Sequence, residues 1–72
     1  GIKASFVLTI YEGKIYMSAR SIDEVNVQII AEKLGGGGHI NSAGAQFDHT
    51  NMDEAIQTLK QTIDQMIEEG DI

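Results

Sequence analysis

Few residues in this chain are equipped for chemistry, and they gather in two short stretches. The first is Gly35-Gly36-Gly37-Gly38-His39. Glycine has no Cβ, so such a run can take positive φ and lie close to a ligand. Consecutive exposed N–H groups there can form an anion-binding nest, and His39 can add a donor to a phosphate oxygen or a base. The second stretch is Ser18-Ala19-Arg20-Ser21, which holds the only arginine of the chain. A guanidinium fork suits two-point contact with phosphate, and the Ser21 hydroxyl can add a donor. Taken singly, both stretches have plainer readings. The glycines read as a helix cap and a flexible loop, and Arg20 as a surface arginine paired with Asp23 or Glu24. The run lacks the Lys-Ser/Thr ending of a P-loop. It also follows a predicted helix, whereas a dinucleotide fingerprint follows a strand.

The remaining candidates are weaker. Asp48-His49 sits in a polar break and offers too few ligands for a metal. Tyr11 and Tyr16 could stack on a base, but read first as cover for a sheet face. Met17, Met52 and Met66 fall in apolar patterns. A metal-dependent hydrolase needs several carboxylates and histidines converging on its ions. This chain has two histidines and no cysteine, and its carboxylates crowd the outside of one predicted helix. No Ser/His/Asp or Cys/His arrangement is readable either. The sequence therefore predicts no catalytic residue and no metal ligand in this chain.

The elements that must position these residues follow from periodicity. Ser5 to Tyr11 is rich in β-branched and aromatic residues, with Phe6, Leu8 and Ile10 on one face. Glu12-Gly13 is a turn signal. Lys14 to Arg20 alternates again, with Ile15, Met17 and Ala19 on one face, which predicts a β-hairpin. Ser21 to Val25 reads as a polar connector. Asn26 is a candidate N-cap, with Ser21 and Glu24 as a rival capping box. Val27, Ile30, Ala31 and Leu34 predict a helix over 27–34, with Gly35 as its C-cap glycine. Ala43 to Phe47 reads as a short strand of small residues packed closely beside another element. Asn51 with Glu54 signals a second helix over 52–69, whose stripe is Ala55, Ile56, Leu59, Ile63, Met66 and Ile67. Gly70 ends it. The predicted class is α+β, a two-layer α/β arrangement in the order β-β-α-β-α, with both helices on one face of a small sheet.

Length and charge narrow the function. Seventy-two residues allow one small domain with a thin core. Residues 1–47 balance Lys3, Lys14, Arg20 and Lys33 against Glu12, Asp23, Glu24 and Glu32, so the whole net charge of −6 lies in 48–72. Broad electrostatic binding to nucleic acid needs basic patches, which this chain lacks. An anion must be held locally, by main-chain amides and one or two side chains. No membrane-length apolar run or signal peptide is present.

Together, Ser18-Ala19-Arg20-Ser21, Asn26-Val27-Gln28, Gly35-Gly36-Gly37-Gly38-His39 and Ala43-Gly44-Ala45 resemble the DHHA1 domain, the small C-terminal domain of the DHH phosphoesterase superfamily. The resemblance spans roughly residues 5 to 67. Within the superfamily the chain looks most like the membrane-anchored cyclic di-AMP phosphodiesterases. The resemblance implies that residues 1–72 are one substrate-binding domain cut from a longer chain. It implies that the parent is a manganese-dependent phosphodiesterase whose DHH domain holds the Mn2+ and cleaves, and that this piece binds no cofactor and is not catalytic alone. It implies a cytoplasmic domain, with no direct membrane contact, on a parent anchored in the cell membrane. Its expected partners are a cyclic dinucleotide or short oligonucleotide and the DHH domain of the same chain, and a homodimer through the long helix stays open. By the same resemblance Arg20, Ser21, Gly36, Gly37, Gly38 and His39 match substrate-contacting positions. One segment departs from the pattern: Ala43-Gly44 is nearer the nanoRNA phosphatase members than the cyclic di-AMP group. An oligonucleotide phosphodiesterase is therefore an alternative, as is a nucleic-acid-binding appendage of the kind alanyl-tRNA synthetases carry. Every version of the phosphate reading requires Arg20 and His39 on one face of the sheet.

Overall fold

Alternating side chains at residues 4–21 make the hairpin that organises the domain. The computed structural model describes residues 3–22 and 25–72. The elements are β1 (Ala4–Tyr11), β2 (Lys14–Ser21), α1 (Val27–Lys33), β3 (Gly37–His39), β4 (Ser42–Phe47) and α2 (Met52–Glu68). Glu12 and Gly13 join β1 to β2 with φ of 51° and 77°. Positive φ at both positions gives the type I′ turn whose twist matches the flanking strands. The four strands form one antiparallel sheet in the order β1-β2-β4-β3.

One face of the sheet carries the core. Met17 and Ala19 of β2 are buried against Val27, Ile30 and Ala31 of α1 and Leu59 and Met66 of α2, and Ile15 of β2 is buried too. Ala4, Phe6 and Leu8 of β1 and Ala43, Ala45 and Phe47 of β4 pack at its margin. Two expected core residues lie outside it. Ile10 is 62% exposed and Ile67 57% exposed. Ile10 ends the inward row of β1, an edge strand of the sheet. Ile67 shares a helix azimuth with half-buried Ile56, at the flank of the stripe rather than its centre.

Caps set the helix ends. The Asn26 carboxamide oxygen accepts from the Gln28 and Ile29 amides at 3.0 and 3.3 Å. The rival box with Glu24 lies outside the described residues. Asn51 accepts from the Glu54 amide at 2.9 Å, while the Glu54 carboxylate takes the Thr50 hydroxyl. Each cap is worth about 1 kcal/mol.

The fold is α+β as predicted, with one additional strand. Gly37–His39 forms β3 at the sheet edge, where the sequence reads as loop. Glycine has no side chain to alternate, so main-chain pairing with β4 makes this strand without any pattern in the sequence.

Candidate functional site

The glycine run begins as the end of a helix. Gly35 sits at φ +87° just past α1. Its amide donates to the Glu32 carbonyl at 3.1 Å, and the Gly36 amide donates to the Ala31 carbonyl at 2.8 Å. These bonds are a Schellman motif, which satisfies the last carbonyls of the helix. Two of the four expected nest amides are therefore occupied by α1, and the open nest does not form as predicted. Gly36 and Gly38 are glycines because β3 lies against β4. A Cβ on Gly36 would stand 2.0 Å from the Gly44 carbonyl oxygen, and one on Gly38 2.5 Å from the Ala43 Cα. Gly38 also holds φ +148°. Gly37 alone of the four has neither constraint: its φ is not positive, and a Cβ there would meet nothing within 4 Å.

Register places the side chains. His39 pairs with Ser42, Ser42 with Arg20, and Arg20 with Ser5. Directly opposed residues of antiparallel strands share a face, so Ser5, Arg20, Ser42 and His39 form one row across the sheet. All four are exposed, on the face away from the helices. Arg20 and His39 are two strand spacings apart, roughly 10 Å between backbones. The next row is Val7, Ser18, Gly44 and Gly37. Between Arg20 and His39 the floor is thus Ser42, Ser18, Gly44 and Gly37, where a ligand can lie close to main chain. Among the described residues no hydrogen bond or ion pair engages the Arg20 guanidinium or the His39 imidazole. The surface pairing considered for Arg20, with Asp23 or Glu24, falls on residues outside the described set.

Ser21 is engaged internally. Its hydroxyl donates to the Val25 carbonyl at 2.6 Å and accepts from the Asn41 side-chain amide at 3.0 Å. A hydroxyl has one hydrogen to give, so Ser21 can donate to an anion only by releasing Val25. Asn41 and Ser42 were not singled out in the sequence, since nothing in their types or spacing marks them; only register does.

A shallow cavity of about 180 Å³ opens beside Arg20, lined by Lys3, Ala4, Ser5, Arg20, Ser21 and Ile22. That is below the usual range for small-molecule pockets, roughly 300–1,000 Å³. The exposed row can hold a phosphate-sized group with two donors, but it encloses nothing. Among the described residues no group of three His, Cys, Asp or Glu could hold a metal ion. Asp48 and His49 lie elsewhere, at the Glu12–Lys14 end of the sheet.

Several known proteins are similar to this chain. It is 45% identical over 71 residues to the cyclic-di-AMP phosphodiesterase GdpP of Geobacillus thermodenitrificans, covering 97% of this chain and 11% of that protein. It is 46% identical over 65 residues to the cyclic-di-AMP phosphodiesterase PdeA of Listeria monocytogenes, covering 89% and 10%. The bifunctional oligoribonuclease and PAP phosphatase NrnA of Thermus thermophilus is 36% identical over 63 residues, covering 88% and 19%. The crystal structure of an exopolyphosphatase-related protein from Bacteroides fragilis superposes with a TM-score of 0.82 at 28% identity, over 89% of this chain and 19% of that one. The chain thus spans about a tenth to a fifth of the length of these proteins. The family model described as the DHHA1 domain matches residues 1–68, and the chain belongs to that family.

Proposed function

We propose that this domain is the substrate-holding lobe of a cyclic di-AMP phosphodiesterase. The observation that carries the reading is the exposed row: Arg20 and His39 face one way across a floor of Ser42, Ser18, Gly44 and Gly37, and neither has a partner among the described residues. A phosphodiester anion laid on that floor takes two-point contact from the guanidinium and an N–H from the imidazole. Gly36 and Gly38 shape β3 so that His39 and Gly37 present to the ligand. Ser21 holds the end of β2 beside Arg20. Fixed donors of this kind stabilise charge that develops on phosphorus-bound oxygens during hydrolysis.

Cleavage, in this reading, belongs to a DHH domain of the same protein with its manganese ions. Among the described residues no group of three His, Cys, Asp or Glu is placed to hold a metal ion, so the DHH domain would supply the metal ligands. The parent is a membrane-anchored protein with this domain on the cytoplasmic side. Two phytoplasma relatives, 42% identical, carry the name membrane protein–ribosomal subunit fusion. Among the described residues no helix is long and apolar enough to cross a membrane, and the anchor lies in another part of the protein.

Kinetics of the full-length protein test this. Arg20→Ala and His39→Ala should each lower kcat/KM for cyclic di-AMP at least tenfold, about 1.4 kcal/mol of transition-state stabilisation. Wild-type kinetics in both variants refute the assignment.

A second reading takes a linear oligonucleotide as substrate. Gly44 favours it: it pairs with Gly37 on the floor, which leaves the floor barest there, and NrnA is also a relative. A kcat/KM for a short oligoribonucleotide exceeding that for cyclic di-AMP decides for it. An appendage that binds structured RNA fits poorly with an excess of six negative charges. An electrophoretic shift with tRNA at physiological salt would restore it.

A further inference from the structure

The two hairpins of the sheet are closed in different ways. Glu12 and Gly13 both have positive φ, and their turn holds its strands unaided. The connection from β3 to β4 is also two residues long, Ile40 and Asn41, since His39 pairs directly with Ser42. Neither Ile40 nor Asn41 has positive φ. Two-residue turns of that unprimed kind splay the strands they join. β3 is three residues long, and two of them are glycine. Without outside support, the turn and His39 beside it would be the loosest part of the sheet.

That support is present, and it comes from the residue after Arg20. The Ser21 amide donates to the Asn41 carbonyl at 3.0 Å. The Asn41 side-chain amide donates back to the Ser21 hydroxyl at 3.0 Å. The same hydroxyl donates to the Val25 carbonyl at 2.6 Å. The Val27 amide, at the start of α1, donates to the Ile40 carbonyl at 3.0 Å. Ser21 thus ties the turn to the end of β2 and to the approach to α1. Arg20 is one residue from this knot, and His39 adjoins the turn that it holds.

We infer that Asn41 is a positioning residue: its side-chain amide, locked on Ser21, fixes the spacing between His39 and Arg20. The inference rests on the reading that these two side chains hold the substrate. Asn41 does not touch the ligand in this account. It limits how far β3 can swing relative to β2, so its loss weakens ground-state binding more than chemistry.

The test is steady-state kinetics of the full-length protein with cyclic di-AMP, alongside thermal melting. Asn41→Ala should raise KM about fivefold, with kcat and melting temperature little changed; Ser21→Ala, which also leaves the Val25 carbonyl without its hydroxyl donor, should raise KM at least as much. The double variant should add little to Ser21→Ala alone, because that change already removes the Asn41 link together with the hydroxyl's bond to Val25. Asn41→Leu, which loses the donor at similar volume and adds no charge, should match Asn41→Ala. Ser21→Thr, which keeps a hydroxyl, should return KM close to wild type. A merely structural role would instead lower the melting temperature and the active fraction, seen as reduced kcat at constant KM, and that result overturns the inference. So does a wild-type KM in Asn41→Ala while Arg20→Ala and His39→Ala lose tenfold; the site reading then stands alone. If Arg20→Ala and His39→Ala are themselves silent, the site reading falls first and leaves nothing for Asn41 to position.

Discussion

Both helices of this domain end in the same way, but the chain beyond each end differs. At α2 the Gly70 amide donates to the Ile67 carbonyl at 3.1 Å and the Asp71 amide to the Met66 carbonyl at 2.8 Å, with Gly70 at φ +79°. At α1 the Gly35 and Gly36 amides make the equivalent bonds, with Gly35 at φ +87°. One glycine is enough to end α2, because the next residue is an aspartate. The three further glycines after Gly35 must answer to something other than capping. Close approach of β3 to β4 accounts for Gly36 and Gly38. It does not account for Gly37, where the fold has room for a side chain. A helix end thus serves as an internal control for the proposed ligand-binding run: subtract what the cap needs, then what the sheet needs, and the remainder is Gly37 beside His39.

Substitutions at these glycines break or sharpen that comparison. The largest effects belong to the close-approach positions. Gly36→Ala or Gly38→Ala drives a Cβ against main-chain atoms of β4 that cannot yield without moving the strand. Each should cost about 3 kcal/mol or more in urea unfolding, at or above the upper end for overpacking. Next come the two cap glycines. Gly35→Ala and Gly70→Ala should each cost about 1 kcal/mol, the penalty for a Cβ in the left-handed region. Near-equal values confirm that the caps are equivalent. A cost at Gly35 well above that at Gly70 would give Gly35 a further role. The smallest stability effect belongs to Gly37. Gly37→Ala should leave stability within about 0.5 kcal/mol of wild type, since less unfolded-chain entropy is its main consequence. It should nonetheless weaken cyclic di-AMP binding severalfold by raising the floor beside His39. Unchanged binding would return Gly37 to the plain strand.

The hairpin, both helices and both asparagine caps were legible because each rests on local signals, alternation, a 3.6-residue stripe or a cap residue. The limits lie at particular residues. β3 was missed because glycines carry no pattern. Ile10 and Ile67 follow the correct period yet stay exposed, Ile10 on an edge strand and Ile67 at the flank of its helix's stripe, and periodicity does not encode what lies opposite. Arg20 and His39 were legible as residue types. That they share a row through Ser42 depends on cross-strand register, which sequence spacing does not encode. For the same reason the hydroxyl of Ser21 read as free to meet a ligand, whereas it is tied to Val25 and Asn41.

Amide chemical-shift mapping of this 72-residue chain with cyclic di-AMP is the most direct check on whether the open face of the sheet is the binding surface. Saturable shifts should concentrate at Ser18, Arg20, Gly37, His39, Ser42 and Gly44, and vanish in Arg20→Ala. Shifts that map instead to α2, or that persist unchanged without the guanidinium, would contradict the account.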